Sequence, residues 1–196
     1  MAPDERRRAI VDVVVPLLLE HGSEVTTRQI AEAAGIAEGT IFRVFPDKPA
    51  LLTAAAEQTM DPDVELADLR QALRECTELR TKILRAAEHL SERSQRVTAV
   101  MMALRGLWLS QPATHEHRPG PPRFLVEANR ALLDGLTELF DPHRDELTVE
   151  PRTAALLLRT LVLGSRHPGV GHGIELTPYD VADVLLDGIR RHEGED

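Results

Sequence analysis

The chain has 196 residues, of which 42% are hydrophobic, 3% aromatic and 28% charged, with a formal net charge of −9. That length holds one or two domains and a sizeable core, and an aromatic-poor profile rich in leucine and alanine belongs to a helical protein. The acidic balance argues against a general nucleic-acid coat protein, no apolar run approaches the about 20 residues of a membrane-spanning helix, and the lone Cys76 excludes an internal disulfide.

The N-terminus is charged and lacks a signal-peptide core, since Asp12 and Pro16 interrupt Ile10 to Leu19. A cytoplasmic location without membrane attachment is the expectation, and a single cysteine fits a reducing compartment. Residues 4–21 read as a first helix with a stripe through Ile10, Val13, Val14, Leu17 and Leu18. Pro16 removes a ladder hydrogen bond, worth about 3 kcal/mol, which predicts a kink near 12–16. Arg6-Arg7-Arg8 precedes the stripe and reads either as a solvated charge run or as an arm contacting phosphate or the minor groove.

Two short helices with a tight turn are predicted over 26–48. Thr26 or Thr27 caps the first. Ile30, Ala31 and Ala34 share one face, and Gly35 stands where a left-handed residue stops a helix. The second runs over 38–45, turns Ile41 and Phe45 inward and ends at Pro46-Asp47. Two helices joined by a glycine turn of about three to four residues form a helix-turn-helix, although length, glycine and small residues also suit an ordinary helical hairpin.

This stretch resembles the DNA-binding segment of the TetR family of transcriptional regulators. The likeness lies in Ile30-Ala31-Glu32-Ala33-Ala34-Gly35-Ile36, Gly39-Thr40-Ile41-Phe42-Arg43-Val44-Phe45, Asp47-Lys48 and Leu51-Leu52, and covers roughly the first quarter of the chain. One of only two lysines, Lys48, falls where the family pattern has lysine. The resemblance implies an all-α fold with a three-helix helix-turn-helix domain over 1–48 and a helical ligand-binding and dimerisation domain over 49–196. It implies a repressor that binds a double-stranded pseudo-palindromic operator as a homodimer and is released by an apolar or amphipathic small molecule. No cofactor, metal or enzymatic activity is implied.

By the resemblance, Thr27, Arg28 and Lys48 hold phosphates. Ala37, Glu38, Gly39, Thr40, Phe42, Arg43 and Val44 lie at the groove, with Arg43 suited to guanine O6 and N7. The chain departs from the family pattern at Ala37, Phe42, Val44 and Ser23, so the operator sequence is not implied. Residues 1–50 carry six basic and eight acidic side chains, so DNA binding must rest on where the cations lie.

A fourth helix is predicted from Lys48 to about Met60, ended by Asp61-Pro62-Asp63. Leu66, Leu69 and Leu73 mark the next helix, then 79–90 and 97–109, and a proline-rich loop covers 111–122. Helices follow over 123–140 and 150–166, whose surplus leucines suggest pairing across a two-fold axis. After a glycine-rich loop at 168–173, Thr177-Pro178 opens the last helix, running to about His192. Met101, Met102, Leu104, Trp108 and Phe124 are candidate walls of a ligand pocket, with His89 or Arg105 as its polar contact, although plain core explains each apolar one equally well.

Eight histidines raise a metal reading, but His115-Glu116-His117 and His167 with His172 lack the spacing of a zinc site. No nucleophile elbow or phosphate-binding loop is present, which leaves a helical enzyme as a remote alternative. A DNA-binding protein without an inducer is the nearer one. Against it stands a C-terminal part of helices larger than holding a small DNA reader requires.

Overall fold

The computed structural model describes residues 3–110, 123–166 and 176–189, with side chains described except at 3, 106–110 and 166. Among the described residues the regular elements are helices: α1 Pro3–Asp12, α2 Val14–His21, a short 3-10 turn Gly22–Glu24, α3 Thr27–Ala33, α4 Glu38–Val44 and α5 Lys48–Thr59. They continue with α6 Pro62–Leu73, α7 Leu79–Ser110, α8 Arg123–Phe140, a 3-10 segment Asp141–Glu146, α9 Pro151–Arg166 and α10 Pro178–Ile189. None of the described helices is long and apolar enough to cross a membrane.

The kink predicted from Pro16 is a break. The first helix ends at Asp12, and a new one starts at Val14 with Val13 as its N-cap. The break moves Pro16 into a first helical turn, where an N–H has no intrahelical partner in any case. Leu17 N still reaches Val13 O, at 3.4 Å. Between 90 and 97 the opposite correction holds. The run Ser91-Glu92-Arg93-Ser94-Gln95-Arg96 contains neither proline nor glycine, so the two helices expected there are the single helix α7.

The chain forms two compact units, Met1–Asp61 with Gln95–Phe124, and Pro62–Ser94 with Leu125–Asp196. The sequence expectation divided the chain at 48, and helix α5 is grouped with unit 1. Helix α5 buries Leu51, Leu52, Ala54, Ala55 and Ala56 and packs on α1 and α2, so it belongs to unit 1. Gln58 at its end donates to Asp12 Oδ1 at 2.6 Å. Buried side chains of unit 1 include Ile10, Val14, Leu18, Ile30, Ile41, Phe45, Leu51 and Leu52.

Unit 2 has its own core, from Leu69 of α6 and Leu79, Ile83 and Leu90 of α7 to Leu132, Leu136 and Phe140 of α8. Leu158 and Val162 of α9 and Val181, Leu185 and Ile189 of α10 complete it. At Gly135 a Cβ would come within 2.5 Å of Leu66 Cδ2 and 3.2 Å of Leu69 Cδ2, so the missing side chain lets α8 approach α6 closely. The cap predicted at Thr177 is present. Thr177 Oγ1 accepts from Asp180 N at 3.1 Å and donates to Asp180 Oδ2 at 2.6 Å, and Thr177 N donates to the same oxygen at 2.8 Å. The Thr177 hydroxyl and then its backbone N–H hold the exposed Asp180 carboxyl below its ordinary value.

Candidate nucleic-acid interface and a buried polar cluster

Local chemistry sets the geometry of α3 and α4. Thr26 caps α3, its Oγ1 accepting from Gln29 N at 3.2 Å, while Gln29 Oε1 accepts from Thr26 N at 2.8 Å. Two otherwise orphaned N–H groups are satisfied by this reciprocal pair. At the far end Gly35 takes φ 65, a left-handed angle that glycine adopts without strain. Gly35 N then donates to Glu32 O and Ile36 N to Ala31 O, at 3.1 and 3.0 Å. The chain thus turns sharply into α4, which packs against α3.

On α4, Ile41 is fully buried, and Phe45 at its C-terminal cap is buried too. Their i, i+4 spacing anchors one face and turns the other outward. Gly39, Phe42 and Arg43 are exposed, as are Ala37 and Glu38, while Thr40 and Val44 are half-buried. Phe42 is 50% exposed. A Cβ added at Gly39 would meet nothing within 4 Å, so no internal contact demands glycine there. Its lack of a side chain instead leaves room for another molecule. Arg43 and Lys48 have no hydrogen-bond or ion-pair partner among the described residues, whereas Asp47 caps α5 by accepting from Ala50 N at 2.7 Å.

Two of the residues assigned to phosphate are engaged internally. Thr27 Oγ1 donates to Glu38 Oε1 at 2.6 Å, tying the start of α3 to the start of α4. Arg28 Nε lies 3.1 Å from Glu32 Oε1, with both side chains exposed, a pair too solvated to hold the arginine firmly. Of the triple arginine, all three lie within α1, and Arg7 stacks on the Phe45 ring, 4.6 Å from its centroid. Arg7 therefore has a packing role of its own.

The structure does not gather the candidate pocket residues into one unit. Met101, Met102, Leu104, Arg105 and Phe124 belong to unit 1 and His89 to unit 2. Leu104 is buried, Met101 and Phe124 are half-buried, and Met102 and Arg105 are exposed. Met102, at 58%, is too open for the wall of an enclosed site. The Trp108 side chain, the 111–122 loop with His115 and His117, and the 168–173 loop lie outside the described residues. Among the described residues no group of three or more His, Cys, Asp and Glu could hold a metal.

His89 lies in a cluster not anticipated from sequence. Its Nε2 is 3.0 Å from Oε1 of Glu65, which is 4% exposed, and Arg93 Nε is 2.7 Å from Glu65 Oε2. Burial alone would raise the Glu65 carboxyl, but the hydrogen bond with His89 and the charges of Arg93 and His89 outweigh it and hold the carboxyl below its ordinary value. Two sequence signals were available. His89 and Arg93 stand one turn apart on α7, and Glu65 stands one turn before the buried Leu69 on α6.

Residues 10–55 match the family described as bacterial regulatory proteins, tetR family. Over that segment the chain is similar to the TetR family. Over 55 residues it is 44% identical to the HTH-type transcriptional repressor KstR of Rhodococcus jostii, covering 28% of this chain and 26% of that protein. Over 56 residues it is 38% identical to the nucleoid occlusion factor SlmA of Haemophilus ducreyi, covering 28% of each. The match thus spans about a quarter of either relative. The crystal structure of the TetR transcriptional regulator SCO0520 from Streptomyces coelicolor superposes with a TM-score of 0.61 at 20% identity, over 94% of this chain and 98% of that one. At that identity the likeness shows the fold and nothing finer.

Proposed function

We propose that the protein is a DNA-binding transcriptional regulator, a repressor that leaves a pseudo-palindromic operator when unit 2 takes up a small molecule. The observation that carries this reading is the outward face of α4. Exposed Gly39, Phe42 and Arg43, flanked by Thr40 and Val44, lie on a helix fixed from beneath by Ile41 and Phe45. Such a helix enters a major groove while the preceding one crosses the backbone. Lys48, half-buried at the start of α5, and Thr27 and Arg28 on α3 serve as phosphate contacts, while Ala37 and Glu38 open the reading helix.

Two copies place their α4 helices in successive grooves, about 34–36 Å apart. The leucines of α8 are spent on the core of unit 2, where Leu132, Leu136 and Leu139 are buried. The surplus lies instead on α9 and α10, which pack together and leave Leu156, Leu157, Tyr179 and Val184 exposed. That surface is the two-fold contact in this reading, and it replaces the pairing of 123–140 with 150–166 expected from leucine content.

The test is fluorescence anisotropy with a bound DNA duplex selected from a random pool. Arg43→Ala relaxes preference at one base pair of each half-site and costs about 1–3 kcal/mol there. Lys48→Ala weakens binding to all sequences alike and flattens the salt dependence by about one unit. Equal, base-selective losses in both variants contradict the assigned roles. A second reading, a DNA-bound protein that regulates no gene, is favoured by the 38% identity to a nucleoid occlusion factor over 56 residues. Bound sites scattered across a chromosome rather than placed in promoters would support it.

A further inference from the structure

The cluster around Glu65 holds more positive charge than its one carboxylate answers. Arg93 is 3% exposed. Its Nε approaches Glu65 Oε2 to 2.7 Å without the alignment of a hydrogen bond, and both Nε and Nη2 are buried without a hydrogen-bond partner. A guanidinium carries its donors in a fixed fork, and buried donors of a charged group are rarely left unmade. The other carboxylate oxygen is taken by His89 at 3.0 Å. Arg159 of α9 brings a second guanidinium. Burial, and then the charges of Arg93 and Arg152, push it below its usual value, and its Nη1 donates to Asn129 O at 3.1 Å. One turn from these residues on the same helices stand Leu69, Leu90 and Val162, all buried.

We propose, building on the ligand-responsive reading above, that this cluster is the polar end of the effector site in unit 2 and selects a carboxylic acid with an apolar body. A carboxylate matches the Nε–Nη2 edge of Arg93, whose donors make no hydrogen bond, in geometry and charge, which a hydroxyl or an amide does not. The charge of Arg159 offsets the cost of burying the anion. Leu69, Leu90 and Val162, one turn along the same helices and buried in the core of unit 2, suit an apolar body better than a second charged group. An anion on Arg93 competes with Glu65 for the same guanidinium, so occupancy is felt where α6 meets α7. A ligand shifts such an equilibrium only by its differential affinity for the two arrangements.

The experiment is calorimetric titration of the full chain with decanoate and benzoate against decanol and benzyl alcohol, with release of the selected duplex followed in parallel. At least one acid is expected to bind about tenfold or more tighter than its alcohol, the worth of a hydrogen bond to a charged group. Arg159→Gln, at a half-exposed position that a neutral side chain can fill, is expected to abolish that preference. Arg93→Lys, which keeps the charge and loses the fork, is expected to reduce it. Binding of no acid, alcohols binding as tightly as acids, or a preference surviving both substitutions overturns the assignment. Alcohols that bind and release DNA without acid preference leave the regulator reading standing and remove the acid site. Acid binding that depends on Arg159 without release of DNA does the reverse.

Discussion

The reading face of unit 1 and the Glu65 cluster of unit 2 are both polar sets mounted on helices, and they use polarity in opposite ways. On α4 the apolar residues point inward and Arg43 is left in solvent, so its charge costs nothing to keep and is available to a partner. In unit 2 a carboxylate and a guanidinium are 4% and 3% exposed, and each depends on the other for its charge to be tolerated. Substitutions on the reading face should therefore alter binding and spare stability. Substitutions in the cluster should strike stability first, unless they keep its charge balance.

The sharpest break between the two regions is Arg93→Met. It leaves the buried Glu65 with His89 as its remaining partner in the cluster and is expected to cost about 3–5 kcal/mol in urea unfolding, whereas Arg43→Ala should leave the unfolding midpoint nearly unchanged. A similar loss in both variants would erase the distinction. On the α9–α10 surface, Leu157→Glu is expected to yield a monomer in sedimentation at micromolar concentration and to weaken binding to a two-half-site duplex far more than to a single half-site. An unchanged sedimentation coefficient would place the two-fold contact elsewhere.

Acid addresses the cluster without mutation. The Glu65 carboxyl is held below its ordinary value in the folded chain, so its contribution to stability is fully present above the unfolded glutamate pKa of about 4.3 and is lost as the pH falls through the lower folded value. Urea midpoints between pH 6 and pH 3 should drop less in Glu65→Gln than in the native chain, and parallel curves would contradict the shift. The smallest effect belongs to unit 1. Thr26→Ala removes the cap of α3 and is expected to cost about 1 kcal/mol, read in the same unfolding experiment, without changing which base pairs are preferred.

The reader was legible because every local choice there agrees. A capping threonine, a left-handed glycine, Ile30 and Ile41 facing inward and a proline stop all point to the same two helices. Unit 2 was legible only as helices. Glu65 and Arg93 meet from different helices, and no spacing rule joins them. What the sequence did show was local to each helix, His89 one turn from Arg93 and Glu65 one turn before Leu69. Leu51 and Leu52 show that α5 has a buried face without showing that α1 and α2 cover it. The pocket expected beside 97–109 was drawn from methionine and tryptophan content, and Met102 proves exposed because nothing in a helical stripe distinguishes a pocket wall from a surface.

The most direct test of the division between a DNA reader and a sensing unit is selection of bound sequences from a random double-stranded pool by the full-length chain. Two inverted half-sites are predicted, with centres about 10–10.5 base pairs apart or a multiple of that, each with one position whose preference vanishes in Arg43→Ala. Recovery of no common sequence, or of a site whose preferences Arg43→Ala leaves intact, would contradict the reading of α4 as the helix that selects the operator.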